Sequence, residues 1–203
     1  MLTQWNTRAQ NRKFVASYSG GKDSSLALYQ AMQMGEPVAL IVMLEEQGLK
    51  SRSHGMSLGI IHAQAKAIGL PIYSASATWQ DYENQFIQLL QKAQALGAES
   101  LVTGDIDLMA HAEWNQSVCD KSELRLCMPL WQRPRLDIVH EFIQLSFQSI
   151  IVTVNLSLGM TVEDLGQVLS LEYIDELVAR GIDPCGEAGE FHTTVIDLSL
   201  IHI

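Results

Sequence analysis

The chain has 203 residues, 13 of them basic and 23 acidic, for a formal net charge of −10; 47% are hydrophobic and 18% charged. That length suits one domain, or one domain with a small extension, able to bury roughly 70% of its unfolded surface. The acidity argues against nucleic acid as a partner, no apolar run approaches the ~18 residues of a membrane span, and three cysteines with no CxxC pair and no secretory leader read as reduced thiols of a cytoplasmic protein.

Residues 1–12 are polar and read as a loose N-terminal arm. Phe14 to Tyr18 is a buried strand, and Asp23 to Met34 carries apolar residues at helical spacing up to a stop at Gly35. Val38 to Leu44 is a second near-continuous apolar run, as expected of a parallel strand covered on both faces. The cycle repeats with a helix over 57–68, a strand over 70–74, a helix over 79–96 and a strand over 100–103 that ends in Gly104 and Asp105. A helix over 108–118, a short strand over 126–128, a helix over 136–147, a strand over 149–154 and a helix over 169–180 follow. Such alternation predicts an α/β fold, a mainly parallel sheet flanked by helices with right-handed crossovers. The regularity fades after Leu156, so the expected division is an arm over 1–12, an α/β domain over 13–155 and a small C-terminal lobe over 156–203. A symmetric homodimer is compatible with such a fold.

The sharpest signal is Ser19-Gly20-Gly21-Lys22-Asp23-Ser24, between the first strand and the first helix. A parallel sheet collects ligands there, at a strand's carboxyl end. Glycines permit positive φ and close approach of an anion, and the free N–H groups of the helix start point at it. Ser19 and Ser24 add hydroxyls, Lys22 a positive charge, and Asp23 a carboxylate that can hold magnesium or fix the turn. The GxxxxGK[ST] phosphate loop is excluded, because one residue separates Gly20 from Lys22. A second signal is Cys185-Gly186-Glu187-Ala188-Gly189-Glu190-Phe191-His192-Thr193. A glycine-bordered acidic loop can bind magnesium, orient an ammonium or act as a general base. It also reads as a polar surface turn entering a last strand, and the residues alone leave these open.

The SGGKDS turn resembles the PP-loop ATP pyrophosphatases, of the adenine nucleotide α hydrolase superfamily. Together with the acidic segment it is similar to the diphthine–ammonia ligase (diphthamide synthase) family, in a bacterial-like variant. Ser53-His54-Gly55, Gly104-Asp105, Pro129-Leu130-Trp131 with Arg133, and Leu165-Gly166 fall in matching order, so the likeness covers about 13–198. It implies an adenine nucleotide α hydrolase fold and ATP with Mg2+ as cofactors. It also implies adenylation of a substrate carboxylate, with release of pyrophosphate, and amidation by ammonia. By position, Ser19, Gly20, Gly21, Lys22, Asp23, Ser24, Gly104 and Asp105 would hold ATP, and Asp23 the metal. Lys22, Asp23, Glu187, Glu190 and His192 would carry catalysis, and His54, Glu187, Glu190 and Thr193 would face the acceptor. The acceptor would be diphthine on elongation factor 2, or another carboxylate in a bacterial source. Two departures stand out: His192 where the family usually has Glu, and Gln132-Arg133-Pro134 where it has Gly-Arg-Asp.

His54 follows a strand and is a stronger cleft candidate than His111, which sits in a helical stretch. Lys121, Arg125, Arg133 and Arg135 read as a solvated face or a small-anion site, lacking interleaved aromatics. The alternative functions are a PP-loop ATPase acting on a tRNA base or in sulfur transfer, and a non-catalytic ATP-binding regulator.

Overall fold

The computed structural model describes residues 5–198. Five parallel strands form the central sheet: β1 (Lys13–Ser17), β2 (Glu36–Leu44), β3 (Ile72–Ser76), β4 (Ser100–Val102) and β5 (Arg125–Cys127). Their spatial order is β3-β2-β1-β4-β5. The continuous apolar runs in β1 and β2 follow from this placement. Both are interior strands, and helices cover both faces, so Phe14, Val15, Ala16 and the stretch Ala39–Leu44 are all buried.

Six helices connect and cover the strands: α1 (Lys22–Met32), α2 (Leu58–Ile68), α3 (Tyr82–Ala95), α4 (Met109–Lys121), α5 (Arg135–Gln144) and α6 (Leu171–Ala179). One core cluster joins Phe14 and Leu40 to Leu26, Ile61 and Phe142; the other, on the opposite face, joins Val15 and Ile41 to Leu90 and Val118. The chain winds outward from β1 to β3, then crosses back to β4 on the other side of β1. Outside the carboxyl ends of β1 and β4 this reversal leaves a crevice, where such sheets bind ligands.

Two expectations change. The strand over 149–154 does not join the parallel sheet. It forms β6 (Gln148–Val154), which pairs antiparallel with β7 (Phe191–Asp197) in a separate two-stranded sheet. Only Ser149 and Ile151 of β6 are buried, so the strand has one covered face. A run of apolar and β-branched residues does not by itself distinguish that arrangement from a strand buried on both sides. The second change concerns the arm. Over its described residues, 5–12, it is packed: Trp5 sits edge-on to Trp131 at 5.5 Å, Asn6 donates to the Pro129 and Trp131 carbonyls, and Ala9 is buried. Residues 1–4 lie outside the described residues.

The connection from β6 to β7 holds two single-turn helices, Leu156–Leu158 and Val162–Asp164, followed by α6. Buried Asp164 organises it, accepting bonds from Thr161, Tyr173 and Arg180. β7 then returns to the glycine turn between β1 and α1: the Val195 amide donates to the Gly20 carbonyl at 2.9 Å.

Candidate active site

A cleft of about 790 Å³ opens over the carboxyl ends of β1 and β4. Ser19, Lys22, Asp23 and Ser24 line one end. Gly20 has φ +82°, and a Cβ there would lie 2.5 Å from the Gln64 side chain. Gly21 caps α1 with extended backbone, so its reason is different: a Cβ would sit 2.6 Å from the His54 ring. The Ser19 and Ser24 hydroxyls pair at 3.1 Å, and Ser24 also donates to the Gly21 carbonyl. Gln64 of α2 holds the turn from behind, donating to the Gly20 carbonyl at 3.1 Å and to the Val195 carbonyl at 2.7 Å.

Lys22 is buried, 3% exposed. Its ammonium donates to Asp23 at 2.7 Å and to the Cys185 carbonyl, and its amide donates to the Thr193 hydroxyl at 3.1 Å. Burial by itself would depress this ammonium, but Asp23, Cys185 and Glu187 more than offset it and hold its pKa above the usual lysine range. The second Asp23 oxygen, Oδ1, is enclosed and has no hydrogen-bond partner among the described residues. No group of three or more His, Cys, Asp or Glu capable of caging a metal occurs among them. Magnesium in a nucleotide site needs only one or two carboxylates, the phosphates supplying the rest. Asp23 Oδ1 fits that need.

The acidic loop forms the facing wall, with Cys185, Gly186, Glu187, Gly189, His192 and Thr193 on the cleft. Burial, then the nearby Asp23, pushes the Glu187 carboxyl up to about 7; Lys22 and Arg135 pull the other way. His54 stacks on His192, centroids 4.6 Å apart. Burial, His192 and Lys22 lower His54 to about 3, and burial and Lys22 lower His192, so both rings are neutral at pH 7. Burial pushes the Cys185 thiol up to about 12, which removes it as a thiolate nucleophile.

Glu190, expected to face an acceptor, does not line the cleft. It is buried, and its carboxylate accepts from the Ala188 amide at 3.1 Å, closing the turn. The turn reverses within a few residues, and Glu190 supplies the internal acceptor for its backbone. Gly104 lies against α1: a Cβ there would meet the Ser24 amide at 2.8 Å. Asp105 is at the cleft, where it accepts from Asn115 at 2.8 Å and pairs with His111 at 3.0 Å. Burial works against its charge, yet His111, Thr103 and Asn115 hold its pKa low, and the same contact raises His111. His111 is thus a cleft residue alongside His54, because α4 begins at the mouth and projects its first turn into it.

Arg52, Trp79, Tyr82, Phe86 and Trp114 wall the far half of the cleft, with the Arg52 guanidinium 4.6 Å from the Trp79 ring centre. Sequence reasoning missed this wall, and it missed Gln64. Gln64 carried a signal: it shares a helix face with buried Ile61, Ala65 and Ile68, where a polar residue needs a partner. The aromatic wall carried none, since it assembles from three separate connections. Of the two readings of the basic stretch, the ion pairs favour the solvated face. Lys121 pairs with Glu83, Arg133 with Glu141, and Arg135 with both Asp107 and Asp183, so these three do not form an open anion site.

A family model described as the diphthamide synthase N-terminal domain matches residues 12–126, and one described as the diphthamide synthase C-terminal domain matches 134–202. The chain belongs to the diphthamide synthase family. Within it, the chain is 27% identical over 212 residues to the diphthine–ammonia ligase of Schizosaccharomyces pombe, covering 93% of this chain and 35% of that protein. It is 26% identical over 216 residues to the human diphthine–ammonia ligase, covering 93% of this chain and 80% of that protein. The chain therefore spans about a third of the fission-yeast relative's length and four fifths of the human one's. Among solved structures, it is similar to a predicted tRNA methyltransferase subunit from Methanocaldococcus jannaschii, with TM-score 0.50 and 17% identity over 93% of this chain and 98% of that one. At that identity the likeness speaks for the fold alone, a parallel sheet flanked by helices. No described helix is long and apolar enough to cross a membrane.

Proposed function

We propose that the chain is an ATP-dependent amide ligase of the diphthine–ammonia ligase type, which adenylates a substrate carboxylate and amidates it with ammonia. The observation that carries this reading is the junction of the two motifs across one cleft, where the buried Lys22 ammonium of the phosphate turn meets the Cys185 carbonyl of the acidic loop.

ATP binds with its β and γ phosphates on the α1 amides, the Ser19 and Ser24 hydroxyls and Lys22. Asp23 Oδ1 would hold Mg2+, which would supply charge neutralisation for the leaving pyrophosphate. An acceptor carboxylate oxygen attacks the α phosphorus; the bond from that phosphorus to the bridging oxygen breaks, and pyrophosphate leaves. Ammonia nitrogen then attacks the acyl carbon, the carbon–oxygen bond breaks, and AMP departs. The nitrogen surrenders one proton to the Glu187 carboxylate, whose pKa near 7 suits a base at neutral pH. Neutral His54 and His192 close the floor without adding charge. The aromatic and Arg52 half of the cleft receives the acceptor, diphthine on elongation factor 2 or another carboxylate.

The test is product analysis of ATP turnover with magnesium, ammonium and a panel of carboxylate acceptors that includes diphthine-bearing elongation factor 2. AMP and pyrophosphate are expected, with the rate falling about 10²-fold or more in Lys22→Ala. ADP and phosphate as products overturn the proposal.

A further inference from the structure

We infer that Arg135 is a positioning residue: its guanidinium ties the 183–187 turn to the loop after β4, and so holds the Cys185 carbonyl against the Lys22 ammonium. Arg135 is the first residue of α5 and lies outside both motifs. Its Nε and one terminal nitrogen grip the two oxygens of Asp107 at 2.8 Å each, while the other terminal nitrogen reaches Asp183. Asp107 stands in the loop between β4 and α4; Asp183 opens the acidic turn. The Asp183 carboxylate in turn accepts from the Cys185 amide at 2.9 Å and the Glu187 amide at 3.3 Å. The Cys185 thiol donates to the Arg135 carbonyl at 3.1 Å, and the Cys185 carbonyl takes the Lys22 ammonium.

One planar fork thus links the two walls of the cleft and fixes the peptide that restrains Lys22. The geometry requires arginine. A lysine keeps the charge but cannot grip one carboxylate with two nitrogens while the third nitrogen serves another. The Asp183 side chain is only 9% exposed, so its charge needs this partner. Without Arg135, the turn carrying Cys185 and Glu187 loses its anchor to the opposite wall, and Lys22 loses the fixed acceptor that aims it. A catalytic group misplaced by about 1 Å costs on the order of 10²-fold in rate.

The kinetic arm of the test rests on the proposed ligase activity; the exchange arm does not. Amide hydrogen exchange is measured on the ATP-free full chain for wild type, Arg135→Gln, Arg135→Lys and Asp107→Asn, beside the melting temperature of each. Faster exchange over 183–187 is expected in Arg135→Gln, with Arg135→Lys between it and wild type. Unchanged exchange there overturns the clamp, whatever the activity shows. In pyrophosphate release, Arg135→Gln is expected to lower kcat by about 10- to 100-fold with the KM for ATP moving far less, and Arg135→Lys to restore part of it. A lower melting temperature with kcat per folded molecule unchanged reduces Arg135 to a structural brace and overturns the inference. Asp107→Asn removes one arm only, so it keeps the test open if Arg135→Gln does not fold. Wild type that releases no pyrophosphate sinks the ligase reading and leaves the exchange result standing.

Discussion

Glu187 shows how placement moves an ordinary carboxylate to titrate near neutral pH, as its proposed role as a base needs. Half-buried, with Asp23 and Asp105 near it and Lys22 and Arg135 only partly compensating, it titrates at about 7. In the proposed role its ionised form accepts the proton, so at a fixed concentration of free ammonia the rate should rise with pH through about 7 and level above it. Glu187→Gln should abolish that limb and cost about 10²- to 10⁴-fold; a pH profile of AMP release that keeps the limb in the variant would exclude Glu187. The same shift has a consequence for stability. The folded state binds this proton more tightly than the unfolded chain does, so the stabilisation is full below the ordinary carboxylate range and is lost as pH rises through about 7. Glu187→Gln should therefore flatten the decline in melting temperature between pH 5 and 8. Glu190, three residues on, was expected in the same role and closes its own turn instead. Two acids in one short loop cannot be told apart until the backbone assigns one of them to itself.

The decisive juxtaposition of elements is the end of β4 against the start of α1. A Cβ on Gly104 would lie 2.8 Å from the Ser24 amide and 2.9 Å from the Asp23 carbonyl carbon, both backbone atoms that cannot step aside alone. Gly104→Ala should displace the helix start, costing about 1–3 kcal/mol of stability and weakening ATP binding at least tenfold (about 1.4 kcal/mol). Gly59→Ala is the control: it has open space around it in the helix α2 and should be neutral or stabilising by about 0.4–1 kcal/mol. Equilibrium ATP titration and thermal melts of both variants check this pair. At this scale the sequence was largely readable, since every expected helix and strand forms within a few residues of its predicted limits. The exception at the mouth has a local cause. The helix expected from Trp79 starts at Tyr82, because the Thr78 hydroxyl accepts from the Asp81 amide and makes a turn first. Trp79 is thereby left exposed at the rim, under Arg52.

For the molecule as a whole, the β6–β7 sheet is bolted to the phosphate turn. Val195 and Thr193 bond the turn directly, and Gln64 bonds both. ATP on the turn should therefore stabilise the C-terminal lobe too. At 100 times its Kd, ATP should add about 2.7 kcal/mol to the unfolding free energy, and exchange protection should spread from 19–25 to 191–195. Protection confined to 19–25 would mean that the two parts open independently.

What the amino-acid sequence determined by itself was local. The alternation of apolar runs and helical spacing dictated the parallel sheet, and six adjoining residues at a strand–helix junction dictated a glycine turn built as an anion site would be, because backbone conformation, dipole and charge there depend only on neighbours in the chain. The family likeness carried the ATP and amidation reading further than spacing could. Tertiary structure alone decided what faces that turn. Lys22 meets Thr193 and Cys185 across 171 and 163 residues, β6 leaves the main sheet for β7, Glu190 turns inward, and Arg135 bridges two acids from separate loops. Contacts of that separation leave no periodicity and no spacing in the chain; they exist only once the sheet has brought its carboxyl ends together and the lobe has closed over them.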